Sequence, residues 1–462
     1  MNTLRGLPAL ARGNRAAMKT PRASALLLTL LASTAFVAVP SGATAALLLP
    51  APPPLAISSN VQLLGNVPTG AAFGMVFDGN HAFVTGPAGL TVLDITVAAT
   101  PTIVSALPLP HFENEDVDLC GDTLLITHDR AEEDVGAILY AIDVSNPVLP
   151  MLVSTTPVGL RIDGRGAGHI ANFVTPDCSQ VWLDGGDEVE VMDLSDPAAP
   201  VSLGEFTSVA SNSPAFNVTH DTERDDRGVL WSVGGGGIAG YRLTADPLAP
   251  QLVTSSSVAG MNPSPYNDFI LHNAQRRGNT LLVTEEDYID TDETPPGGCR
   301  GQGHFETWKI GMKVGGVTPL DTWTTEANSP DSKAPLTVNC SSHWFDELGG
   351  IAAVGWYEQG VRFLDTHNPR DIRQVGFYLP ANGSTWAAYW APTDPTRSIV
   401  YTADAYRGVD VLRIDRKADP LLMPTLTAPI PDAWLSSGLL GSRSEVWGWA
   451  CQIPLSANVA VA

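Results

Sequence analysis

The chain of 462 residues carries 26 Lys and Arg against 49 Asp and Glu, a formal charge of −23, and 44% of its residues are hydrophobic. That apolar content supports a packed core and argues against a disordered chain. A surface this negative repels nucleic-acid phosphates and anionic lipid headgroups, so it suits solubility, cation binding or a basic partner.

Residues 1–45 hold Arg5, Arg12, Arg15, Lys19 and Arg22 and no acid. Met18, Lys19 and Arg22 make a charged start, Ala23 to Val39 an apolar run, and Ala43-Thr44-Ala45 a small-residue cleavage site. Together they read as a signal peptide, with Met18 as an alternative initiator. Loss of those five basic residues takes the charge from −23 to −28. No later stretch holds the ~20 apolar residues needed to cross a bilayer as a helix. The mature product is therefore expected to be a monomer without a transmembrane segment, secreted or kept at the cell envelope. Residues 46–59 contain LLLPAPPPLA, Leu47 to Ala56, a proline-stiffened linker.

Residues 60–419 are periodic. A five-residue strand motif recurs as LTVLD (Leu90 to Asp94), LYAID (Leu139 to Asp143), VEVMD (Val189 to Asp193) and VRFLD (Val361 to Asp365). Weaker copies are IAGYR ending at Arg242, FETWK ending at Lys309 and VDVLR ending at Arg413. Most steps are ~50 residues, a period that marks a repeat architecture. In the third unit HIANFV, QVWLDG, EVEVMDL and VSLGEFT read as four short strands separated by turn residues. About seven such units predict an all-β fold, a seven-bladed β-propeller of four-stranded antiparallel blades. The segment Asn60 to Pro68 resembles an outer strand and is expected to complete the seventh blade, closing the ring.

Several residues have structural readings. The motif Asp, followed by S-[ND]-P, suits a turn in which the carboxylate bonds a nearby backbone amide. Trp182 and Trp231 recur in second strands and are read as blade packing. Five cysteines allow the pairs Cys120–Cys178 and Cys299–Cys340 and leave Cys451 over, although spacing does not determine connectivity. Residues 420–462 carry Trp434, Trp447 and Trp449 but no blade pattern.

The pentapeptides LTVLD, LYAID and VRFLD, with the turns DVSNP and DLSDP, resemble the LVIVD repeat of secreted β-propellers over roughly residues 60–415. The resemblance implies an exported propeller and leaves function open, because one fold hosts many functions. The D-[IVL]-S-[DN]-P turns are also similar to those of the selenium-binding and methanethiol oxidase propellers, a likeness that implies histidines and copper. The cysteine motifs of that group are absent here.

Alignment on the pentapeptide puts a histidine at the start of the first strand in four successive units: His169, His220, His272 and His343. In a propeller that strand is innermost, so these imidazoles converge on the axis, where they are candidate ligands for Zn, Cu or Fe. The arrangement, though not the sequence, is similar to the carotenoid oxygenases, whose four axial histidines hold iron. The second unit offers Asp116 or Asp118 at this level, the first Phe73 to Met75 and the seventh Trp386 to Ala388. Acidic loops follow, DGGDE from Asp184 to Glu188 and a longer one from Glu285 to His304. Asp116, Glu285, Glu286, Asp287 and Asp290 are candidate binding residues, with Ca²⁺ as a ligand of the long loop. Three functions remain open: a module binding a small molecule or protein partner through the His-bearing face, a metal-dependent oxidoreductase with Asp116 or Glu285 handling protons, and a cell-surface interaction scaffold. No Ser-His-Asp or Cys-His pattern supports a hydrolase.

Overall fold

The computed structural model describes residues 52–109, 117–128, 137–159, 168–211, 217–257, 270–287, 303–328 and 340–417. Over these residues the chain is an all-β, seven-bladed propeller of four-stranded antiparallel blades. From the first blade to the seventh, the inner strands are Met75–Asp78, Asp118–Cys120, Ile170–Phe173, Thr219–Arg224, Ile270–Arg277, Phe345–Leu348 and Thr385–Trp390. Successive inner strands lie against one another. The seventh blade meets the first where the Met75 N–H reaches the Tyr389 hydroxyl at 3.3 Å and the Ala72 N–H reaches the Asp404 carbonyl at 3.1 Å.

The N-terminal strand closes the ring as expected. Val61–Val67 is the outer strand of the seventh blade, paired antiparallel with Val409–Ile414. One extension was not legible in the sequence: Ala56 and Ile57, within the proline-rich linker, add a fifth strand to the sixth blade opposite Tyr378 and Leu379. The chain thereby covers a sheet edge that would otherwise expose unpaired backbone groups.

The core consists of seven hydrophobic clusters, one between each pair of neighbouring blades. This follows from the period-two geometry of strands, since a blade interior has a neighbour on both faces. In the third blade Val181 and Leu183 face the second blade, while Trp182 faces the fourth. In the fifth, Leu281 and Val283 face the fourth, while Leu282 faces the sixth. Strands buried on both sides read as continuous apolar runs rather than alternating ones, which is why LLIT and VWLD look as they do.

The motif aspartates hold turns. Oδ1 of Asp94, Asp143 and Asp193 accepts the backbone N–H two residues on at 2.8 Å, and that of Asp365 does so at 2.9 Å. Hydrogen bonds from Thr96, Ser145 and Ser195 hold the first three carboxyls below their ordinary range. A disulfide joins Cys120 to Cys178 with Cα atoms 5.6 Å apart, tying the second blade to the third. Cys340 is also disulfide-bonded; Cys299, the partner expected for it, lies outside the described residues, as do Cys451 and residues 420–462.

Candidate metal centre

The four histidines lie side by side around the axis. Ring centroids are 5.0 Å apart for His169 and His220, 4.0 Å for His220 and His272, and 4.0 Å for His272 and His343. The arc continues through Trp386, 5.0 Å from His343, to Phe73, 4.5 Å from Trp386. Six of the seven blades thus contribute one ring each. His220, His272 and His343 are buried and His169 is partly exposed.

Local backbone irregularity aims these rings. Pairing between first and second strands skips one residue at three equivalent places, passing over His220, His272 and Trp386. A β-bulge leaves its extra residue out of the ladder and turns the side chain away from its regular direction, here toward the axis. His169 is seated differently: Gly185, at φ 103°, packs so closely that a Cβ there would lie 2.3 Å from that of His169.

Hydrogen bonds set the tautomers. The Nδ1 of His220 lies 2.9 Å from the His272 carbonyl, and that of His343 lies 2.9 Å from the Trp386 carbonyl. A carbonyl only accepts, so both Nδ1 atoms carry the proton and each Nε2 keeps its lone pair for a ligand. This orientation by an outer partner is typical of metal-binding histidines.

One compact donor set at the axis combines two of these histidines with a carboxylate. His220, His272 and Glu286 bring one ligand atom each to within 4.8 Å of one another, all three buried. Glu286 lies 3.9 Å from Nε2 of His272 and 3.9 Å from Nε2 of His343. It also accepts a hydrogen bond from the Tyr357 hydroxyl. Tyr357 holds a left-handed φ of 38°, uncommon for a bulky residue, and its ring is 4.9 Å from His343. Two imidazoles and a carboxylate suit Zn, Fe or Cu better than Ca²⁺, which prefers oxygen donors alone.

Glu285 and Glu286 require a correction. They do not open an acidic loop; they are the last two residues of the strand Thr280–Glu286 and are fully buried. Adjacent strand residues point to opposite faces, so Glu285 joins a second buried group with His304 and Glu306, again within 4.8 Å. His304 Nδ1 donates to Glu285 Oε2 at 2.5 Å, and burial pushes this imidazole down to about 4, leaving it neutral. Asp184 likewise ends a strand and is fully buried. Asp287 is partly exposed, and its N–H donates to Ser341 Oγ at 2.8 Å. Asp116 and Asp290 lie outside the described residues. Asp118, the alternative in the second blade, is on the inner strand. Tyr357, His304 and Glu306 had no repeat-level signal. Glu286 had one: the last residue of the second strand is also acidic at Asp184 and Asp404.

No protein-family model and no curated protein matches this chain. Among solved structures it is similar to a candidate 6-phosphogluconolactonase from Bacteroides uniformis, at 13% identity, TM-score 0.50, over 77% of this chain and 94% of that one. It is also similar to the Swd1 β-propeller domain of Myceliophteria thermophila, at 11% identity, TM-score 0.49, over 77% and 100% of the two chains. At such identities the first likeness supports the propeller fold alone.

Proposed function

We propose that this chain is an exported, LVIVD-like propeller that binds a transition-metal ion at its axial face, with His220, His272 and Glu286 as ligands and His343 beside them. The observation that carries this reading is the convergence of two imidazoles and a carboxylate in a buried site, with the tautomer of His220 already set for ligation. Once bound, the ion would supply a Lewis-acid or redox centre. Trp386, Phe73 and Tyr357 form an aromatic wall beside it, suited to a small organic ligand.

Elemental analysis of the purified full chain tests the reading. About one Zn, Cu or Fe per chain is expected after reconstitution, and His272→Ala and Glu286→Gln should each lower occupancy at least ~10-fold. A wild-type content below ~0.1 ion per chain, with the fold intact by circular dichroism, overturns the reading. The oxidoreductase alternative further requires turnover that disappears in the same variants. The scaffold alternative requires protein capture that survives them.

A further inference from the structure

The buried group of Glu285, His304 and Glu306 lies back to back with the axial donor set, on neighbouring strands of the fifth blade. Thr280–Glu286 and Phe305–Lys309 pair Val283 with Glu306 and Thr284 with Phe305. One step past that last pair, the Glu285 N–H donates to the His304 carbonyl at 2.8 Å. Residues two apart in a strand share a face, so Glu285 sits beside Val283 and Glu306 beside Trp308. Val283 and Trp308 pack against Val229 and Val233 of the fourth blade. The group therefore lies on the side of the sheet that looks to the fourth blade. Glu286, on the other side, reaches His343 and Tyr357 of the sixth.

Outer partners hold these donors in place, as they do for metal ligands in general. Trp308 Nε1 donates to Glu306 Oε2 at 2.7 Å and fixes that carboxylate. Ser342 Oγ sits between two carbonyls, 2.8 Å from that of Glu285 and 2.6 Å from that of His304. Gly303, at φ 56°, brings the chain so close to the sixth blade that a Cβ there would lie 2.4 Å from Ser341 Cα.

One ligand atom from each of the three residues falls within 4.8 Å of the others, and His304 Nδ1 is 2.5 Å from Glu285 Oε2. With both carboxylates ionised the group carries two negative charges beside an imidazole. Burial of such charge is unfavourable unless an opposite charge cancels it, and one divalent cation cancels both.

We infer that Glu285, His304 and Glu306 bind a second divalent cation, harder than the axial one and of the Mn²⁺ class. The donor ratio decides the class. The axial set has two imidazoles to one carboxylate and suits Zn, Cu or Fe, whereas this set has two carboxylates to one imidazole and suits Mn²⁺.

Reconstitution of the full chain with MnCl2, followed by desalting and elemental analysis, tests the site. Wild type should retain about one Mn per chain, and His304→Ala and Glu306→Gln should each lower that content at least ~10-fold. His272→Ala should keep its Mn while losing the axial ion, and His304→Ala should keep the axial Zn, Cu or Fe. The two sites therefore fail separately. A wild-type Mn content below ~0.1 per chain, or Mn retained equally by His304→Ala and Glu306→Gln, overturns the inference and leaves the three residues as a hydrogen-bonded cluster. Should those two variants fail to fold, Mn²⁺ bound to His272→Ala still reads the site. Its electron-spin-echo signal should carry modulation from one coordinated imidazole nitrogen, and a signal without it overturns the inference.

Discussion

Burial raises the carboxyls of Asp184 and Asp404, each the last residue of a second strand. Asp404 shows this away from the histidine centre: it is 1% exposed, accepts N–H bonds from Tyr406 and Arg407 at 2.9 and 3.0 Å, and accepts the Thr385 hydroxyl at 2.9 Å. Burial outweighs those bonds, with Asp410 adding repulsion, and raises its carboxyl to about 6. Because the folded value exceeds the unfolded one of 3.8, the folded state holds a proton that the unfolded chain has released. Its contribution is favourable below the unfolded value and is lost as pH rises through about 6, a change on the order of 3 kcal/mol at most. Asp404→Asn keeps an acceptor for the two amides and removes the titration. Denaturant melts at pH 4, 5, 6 and 7 should therefore show wild type losing stability relative to the variant as pH rises; parallel curves would refute the assignment.

Among the elements, the second strand supplies large packing residues such as Trp182, while the site takes its histidines from the first strands or the residues just before them and Glu286 from the second strand of the fifth blade. Trp182 sits fully buried between the third and fourth blades, against Phe206 at 4.8 Å and Tyr241 at 6.1 Å. Truncating it to alanine empties a large volume between two sheets that cannot collapse independently, so a loss of about 3–5 kcal/mol is expected. Val97, 60% exposed, is the contrasting position, and alanine there should change stability by less than ~0.5 kcal/mol. Chemical denaturation of both variants checks the pair. The bulges at His220, His272 and Trp386 belong to this scale as well, because one unpaired residue in a first strand costs a ladder bond and redirects a ring to the axis.

In the whole molecule, closure is the property on which the aromatic end of the site depends, since Phe73 of the first blade meets Trp386 of the seventh at 4.5 Å. The closing strand Val61–Val67 and the edge strand Ala56–Ile57 are both N-terminal, and they complete the last two blades. A chain beginning at residue 69 should leave the seventh blade with three strands and an open edge, so it should lose its cooperative thermal transition or aggregate. Adding back residues 52–68 as a separate peptide should restore the transition at least in part. A truncated chain that melts like the full one would show that closure does not hold the ring.

The sequence by itself determined the propeller, the placement of each blade and the identity of the closing strand. Those features rest on local chemistry: Asp94, Asp143, Asp193 and Asp365 turn the chain through their own carboxylates, and double-sided burial writes Val-Trp-Leu into a strand wherever it falls. It also brought His169, His220, His272 and His343 to one level, because equivalent positions in a repeat share a place in the ring. Tertiary structure alone decided that Glu286 meets His220 and His272 and that Tyr357 bonds it. Those meetings depend on bulges, on the rotation between neighbouring sheets and on closure of the ring, none of which leaves a mark in residue spacing.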